Sequence, residues 1–184
     1  MKPEQFADAE PKFRVEEYFL GKTRGWGIFE DRFGDLRRQF VVDIDGAWEG
    51  DVFVMKERFL YSDGETDERV WRISKQGEGH YEGRAGDVIG VAEGVAAGNA
   101  LNWRYAMDLK VGDGTWRVNF DDWMFLQPDG VLMNRARVSK WGVAIGEVTL
   151  MFQRWPRQDQ AALPAGRDPA AEATPVMWSR AVAE

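Results

Sequence analysis

The sequence has no cysteine and a single histidine, His80. The first absence excludes disulfides, thiolate metal sites and a cysteine nucleophile. The second excludes a multi-histidine metal centre and argues against a Ser-His-Asp triad. His80 follows Gly79 and reads as an exposed turn histidine. No apolar run approaches the roughly 18 residues of a membrane-spanning helix. The first residues, Met1-Lys2-Pro3-Glu4-Gln5-Phe6-Ala7-Asp8, lack the apolar stretch of a secretory signal. The expectation is therefore a cytoplasmic protein with no transmembrane segment. No Gly-x-Gly-x-x-Gly or phosphate-loop pattern occurs, so no cofactor is expected. A net charge of -7 argues against nucleic acid, whose phosphates demand clustered Lys and Arg. The carboxylates Asp43/Asp45 and Glu65/Asp67/Glu68 flank turns without a calcium-loop pattern, so no metal is expected.

What is present is a chain of 184 residues, 44% hydrophobic and 30% charged, with 9 Trp and 20 Gly. That length suits one compact domain with a modest tail. We read residues 1–12 as an N-terminal extension, 13–155 as the domain, and 156–184 as a tail. From Ala161 to Glu184 there are eight Ala and three Pro and no sustained apolar period, a composition expected to be disordered.

Pro11 to Leu20 predicts a short helix stopped by Gly21. Beyond it the chain alternates with the period of strands. Phe40, Val42 and Ile44 share a face. So do Phe53, Met55, Phe59 and Tyr61, and next Arg69, Trp71 and Ile73. Leu101, Trp103, Tyr105, Met107 and Leu109 form the clearest series. Trp116, Val118 and Phe120 follow, then Leu132, Asn134, Ala136 and Val138, then Val148, Leu150 and Phe152. Turns are signalled at Asp63-Gly64, Gly112-Asp113-Gly114 and Pro128-Asp129-Gly130. The pattern predicts an all-β, antiparallel up-and-down meander of about 8–10 strands. Closure into a barrel would hide its edges; a two-sheet sandwich is the alternative.

Gly86, Gly90, Gly94 and Gly98 recur every fourth residue. In a regular strand this spacing places all four on one face. They mark either a sharply coiled strand or bare backbone against a ligand.

The sharpest polar feature is Asp121-Asp122-Trp123-Met124. If Trp116, Val118 and Phe120 face inward, Asp122 does too and Asp121 faces out. A carboxylate there needs a partner or a proton. Asn134 sits on the apolar parity of the next strand, while Arg135 and Lys140 would need a bulge to turn inward. Asp87 and Asn99 bracket the glycine series. The cluster is either a polar network that fixes register, a ligand-orienting site, or an acid–base centre.

Tyr18-Phe19-Leu20-Gly21, Trp26-Gly27-Ile28-Phe29, Phe33-Gly34, Asp87-Val88-Ile89-Gly90, Gly98-Asn99-Ala100, Asp121-Asp122-Trp123-Met124 and Ser139-Lys140-Trp141-Gly142 together resemble the proteobacterial family DUF3833. The resemblance covers about residues 13–155. It implies a lipocalin-like, calycin-type barrel. It also implies a link to lipid metabolism, through neighbouring genes for cyclopropane-fatty-acid-synthase-type methyltransferases. Many members look like lipoproteins with a lipobox cysteine; this chain has no cysteine, so anchoring does not carry over.

The leading expectation is a barrel that binds a small apolar molecule, a fatty-acyl chain or isoprenoid. Its candidate site is Asp87, Gly94, Asn99, Trp103, Tyr105, Asp122, Asn134 and Lys140. The alternatives are a barrel enzyme (isomerase, cyclase or hydratase) with Asp122 as acid–base group, and a filled barrel that partners a lipid-modifying enzyme.

Overall fold

The computed structural model describes residues 1–111 and 114–155. The tail assigned to 156–184 and two positions of the turn at 112–114 lie outside the described residues. Ten strands follow one another around a closed barrel: β1 (Gly21–Asp31), β2 (Leu36–Glu49), β3 (Val52–Tyr61), β4 (Thr66–Lys75), β5 (His80–Arg84), β6 (Val88–Ala97), β7 (Ala100–Val111), β8 (Gly114–Leu126), β9 (Leu132–Lys140) and β10 (Val143–Arg154). Every neighbouring pair is antiparallel, and β1 closes on β10 with Gly27 opposite Leu150. That ladder decides between barrel and sandwich, since it removes the last free edge.

The alternation read along the chain is the inside–outside alternation of the wall. On β9 Leu132, Asn134, Ala136 and Val138 are buried while Met133, Arg135 and Arg137 are exposed. On β7 Leu101, Trp103 and Met107 are buried and Arg104 is exposed. Gly64 and Gly130 hold positive φ in the β3–β4 and β8–β9 connections, as their turn sequences require.

The predicted N-terminal helix is one turn, α1 (Val15–Tyr18). Upstream of it the chain is tied to the wall, where the Phe13 N–H donates to the Gly98 carbonyl at 2.7 Å. Phe13, Val15, Tyr18 and Phe19 are all buried and close one end of the barrel. The Tyr18 hydroxyl donates to the Phe152 carbonyl at 3.0 Å and to that of Gly130 at 3.1 Å. Glu16 accepts from Lys75 Nζ and, at 2.9 Å, from the Tyr81 hydroxyl. The residues assigned to an extension also touch the wall: Phe6 lies 5.4 Å from the Phe125 ring and 5.9 Å from that of Trp123.

The glycine series is not one face, which corrects the expectation. Gly86 stands in the β5–β6 turn and Gly98 in the β6–β7 turn. Gly90 has φ +72° beside a break in the β6–β7 register between Ile89 and Glu93. Two extra residues of β6 bulge out of the ladder there, so Gly90 is exposed, while Val88 before it and Gly94 after it both stand opposite inward residues, Met107 and Trp103. A Cβ on Gly94 would collide with the Trp103 indole. The bare backbone there accommodates a tryptophan of the protein itself.

No helix among the described residues is long and apolar enough to cross a membrane.

Candidate functional site

The barrel is not filled. A cavity of about 560 Å³ follows its axis, a size that suits one small ligand. Val15, Phe19 and Phe152 are among its lining at the closed end, and Arg37, Arg38 and Trp116 at the other. Its walls are mostly aromatic and aliphatic. Trp71 is central, edge-on to Trp103 at 5.7 Å and to Tyr105 at 5.4 Å, while Tyr105 stacks on Phe120 at 4.9 Å.

Below the mouth, where Asp31, Arg37, Arg38 and Tyr61 join the lining, five further polar side chains interrupt it: Glu57 on β3, Arg69 on β4, Tyr105 on β7, Asp122 on β8 and Asn134 on β9. Asn134 Nδ2 donates to Asp122 Oδ1 at 3.1 Å. Glu57 and Arg69 are direct register partners, with Arg69 Nη1 3.7 Å from Glu57 Oε2. Asp87, from the β5–β6 connection, takes the stronger hold on the same guanidinium, at 2.9 Å from Nε and 2.8 Å from Nη2. The Arg69 guanidinium also lies 5.5 Å from the Phe59 ring centre.

Burial sets the protonation of this centre. It pushes the Asp122 carboxyl up to about 6, against the hydrogen bonds of Asn134 and Tyr105 that favour the anion. It pushes Glu57 up to about 7, with Arg69 opposing and Asp87 and Asp122 adding to the rise. Burial and the nearby Asp122 charge raise the Tyr105 phenol well above its ordinary value. Two carboxyls thus titrate near neutrality within one apolar chamber, an arrangement suited to orienting a polar head group or to moving a proton.

Of the eight candidates read from sequence, Trp103, Tyr105, Asp122 and Asn134 line the cavity. Asp87 reaches it through Arg69. Gly94 lies beneath the Trp103 ring. Asn99 is at the closed end, where its Nδ2 donates to the Leu126 carbonyl at 3.1 Å. Lys140 stays at the mouth, its Nζ 3.7 Å from the Trp116 ring centre and 4.6 Å from that of Trp141. Arg135 points outward to Glu147 at 2.6 Å. Asp121 faces out, bonded to Arg104 and Asn102. Glu57 and Arg69 are the site residues that sequence reasoning missed. The signal was available, because each falls on the apolar parity of its strand and the two stand opposite one another. Among the described residues no group of three or more His, Asp or Glu could hold a metal ion.

The pattern of a family described as "Protein of unknown function (DUF3833)" matches residues 1–154. A search of curated proteins returns no match. Among solved structures, the S-type phycobiliprotein lyase CPES from Guillardia theta superposes with a TM-score of 0.59 at 11% identity, covering 78% of this chain and 92% of the lyase. A protein of unknown function from the DUF3598 family, from Nostoc punctiforme, gives 0.54 at 11% identity, covering 79% of this chain and 51% of the other. At that identity the likeness is one of fold.

Proposed function

Since the chain belongs to the DUF3833 family, whose description leaves function open, we propose from its own residues that it binds a small amphiphilic molecule inside the barrel. The observation that carries this reading is the hollow, aromatic-walled interior with its polar centre at Glu57, Arg69, Tyr105, Asp122 and Asn134. The walls supply affinity at roughly 25 cal/mol per Å² of apolar surface removed from water. The polar centre orients the head group. That a phycobiliprotein lyase has a similar fold supports small-ligand binding in general. On the family resemblance, we further propose that the molecule belongs to lipid metabolism, is a fatty-acyl chain or isoprenoid derivative, and is exchanged with a lipid-modifying enzyme. We propose Asp122, Asn134, Trp103 and Tyr105 as contact residues, and add Glu57 and Arg69.

A second reading draws on the titration of the same carboxyls. A carboxyl near 6 in an apolar wall can act as general base toward a bound substrate, which would make the barrel an isomerase, cyclase or hydratase with Asp122 as the proton carrier.

Titration with Nile red, a neutral apolar dye, tests the binding reading. One site of micromolar affinity is expected, with quenching of tryptophan emission because Trp71 and Trp103 line the cavity. Absence of saturable binding contradicts it. Enzyme and binder are separated by whether a bound molecule is released chemically altered, and whether Asp122→Asn abolishes the change.

A further inference from the structure

The chemistry of the head group can be taken further, on the premise that the cavity binds a ligand. Every acidic and basic side chain lining the chamber can be assigned a counter-charge or found to lack one. At the mouth, Arg37 is paired with Asp31 and Asp35, and Arg38 with Asp63 and Glu65. Arg38 also covers the Tyr61 ring at 3.8 Å. Neither guanidinium is left over for a ligand anion. At the centre the balance runs the other way. Glu57, Asp87 and Asp122 are three carboxyls around one cation, Arg69, and Asp87 holds that cation closest. Asp122 is 5% exposed and has a neutral amide, Asn134, as its donor. Among the described residues, the inner faces of β1, β2 and β10 bring no cation to this level: they present Gly25, Gly27, Phe40, Val42, Ile44, Val148 and Leu150.

From this imbalance we infer that the cavity selects an amphiphile whose head group donates hydrogen bonds and carries positive charge, a primary amine, over an alcohol, and that it rejects a carboxylate. An ammonium group near Glu57 and Asp122 donates hydrogen bonds to carboxylates that burial otherwise leaves to bind a proton. An alcohol donates one such bond without charge. A carboxylate adds a further anion to a chamber in which anions already outnumber cations, and that costs free energy in a low-dielectric interior. The raised Glu57 and Asp122 carboxyls reflect burial first, with the anions Asp87 and Asp122 adding to the rise at Glu57. They also give the preference a direction with pH: as pH rises from 6 to 8 both lose their protons, so an amine is held more tightly.

The test uses three probes of equal chain length, decylamine, decanol and decanoate, each displacing Nile red from the full chain at pH 8. There the amine is protonated and the acid ionised. The expected order is amine, alcohol, acid, with the amine at least about tenfold tighter than the acid. Glu57→Gln, checked for an unchanged melting temperature, is expected to shrink that ratio. Decanoate binding as tightly as decylamine, or a ratio unchanged in folded Glu57→Gln, overturns the inference while dye and decanol binding leave the ligand-binding reading standing. Failure of the dye and all three probes to bind overturns both.

Discussion

Asn134 on β9 donates to Asp122 on β8 at 3.1 Å, one step diagonal to the register, which sets Asp122 opposite Ala136 and Met124 opposite Asn134. The bond gives an otherwise apolar chamber a fixed polar point. Asn134→Leu removes the donor and leaves a buried carboxyl without it. A loss of about 1–3 kcal/mol is expected, measured by urea unfolding. Asp121→Asn, one residue away on the outer surface, is the contrast. Its charged partner Arg104 is exposed, exposed pairs contribute about 0–1 kcal/mol, and an amide oxygen at this position still accepts from Asn102. Equal losses in the two variants would mean that the inward assignment of Asp122 is wrong.

The raised carboxyls make a prediction about pH. Asp122 and Glu57 hold protons more tightly in the folded chain than unfolded, so their contribution is complete below about pH 4 and is lost as pH rises through about 6 and 7. Each pKa unit is worth about 1.4 kcal/mol. Wild type should therefore lose stability relative to Asp122→Asn, by on the order of 2 kcal/mol, between pH 4 and pH 8. Glu57→Gln should behave alike. Glu16 acts in the opposite sense: its carboxyl is lowered by Lys75 and Tyr81 despite burial, so its contribution is lost as pH falls. The comparison is thus made between variants, by denaturant unfolding at both pH values. Parallel pH profiles for wild type and Asp122→Asn would contradict the assignment.

Gly94 gives a packing prediction. A methyl there meets the Trp103 ring, which Gly83 flanks as well. Gly94→Ala is expected to destabilise by about 1–3 kcal/mol, the usual cost of overpacking, and to shift the emission of Trp103 as the indole is displaced. Native stability and emission in Gly94→Ala would show that the ring is not seated on this backbone.

The extent to which the sequence spoke for itself varied with the range of the interaction. Alternation from Leu101 to Leu109 and from Trp116 to Asp122 is local, and it placed Trp103, Tyr105 and Asp122 on the inner wall and Asp121 on the outer. The β1–β10 ladder joins Thr23 to Arg154, a contact that no local period encodes, so barrel and sandwich looked alike. At Gly90 a bulge broke the two-residue period, and extrapolation from Gly86 to Gly98 failed there. Glu57 and Arg69 sat on apolar parities, but their meaning depended on cross-strand register, which pairs them. Asp87 looked like a flank of the glycine series because its partner, Arg69, is 18 residues away.

The most direct test of a ligand inside the barrel is to fill the chamber. Ala136 is 2% exposed, faces the cavity, and stands opposite Asp122. Ala136→Phe projects a ring into the space the ligand is proposed to use, without altering an ionisable group. Nile red titration of folded Ala136→Phe beside wild type is the decisive measurement. Affinity is predicted to fall at least about tenfold, equivalent to about 1.4 kcal/mol, at a melting temperature close to that of wild type. Equal affinity in the two proteins would place the dye outside the barrel and contradict the account.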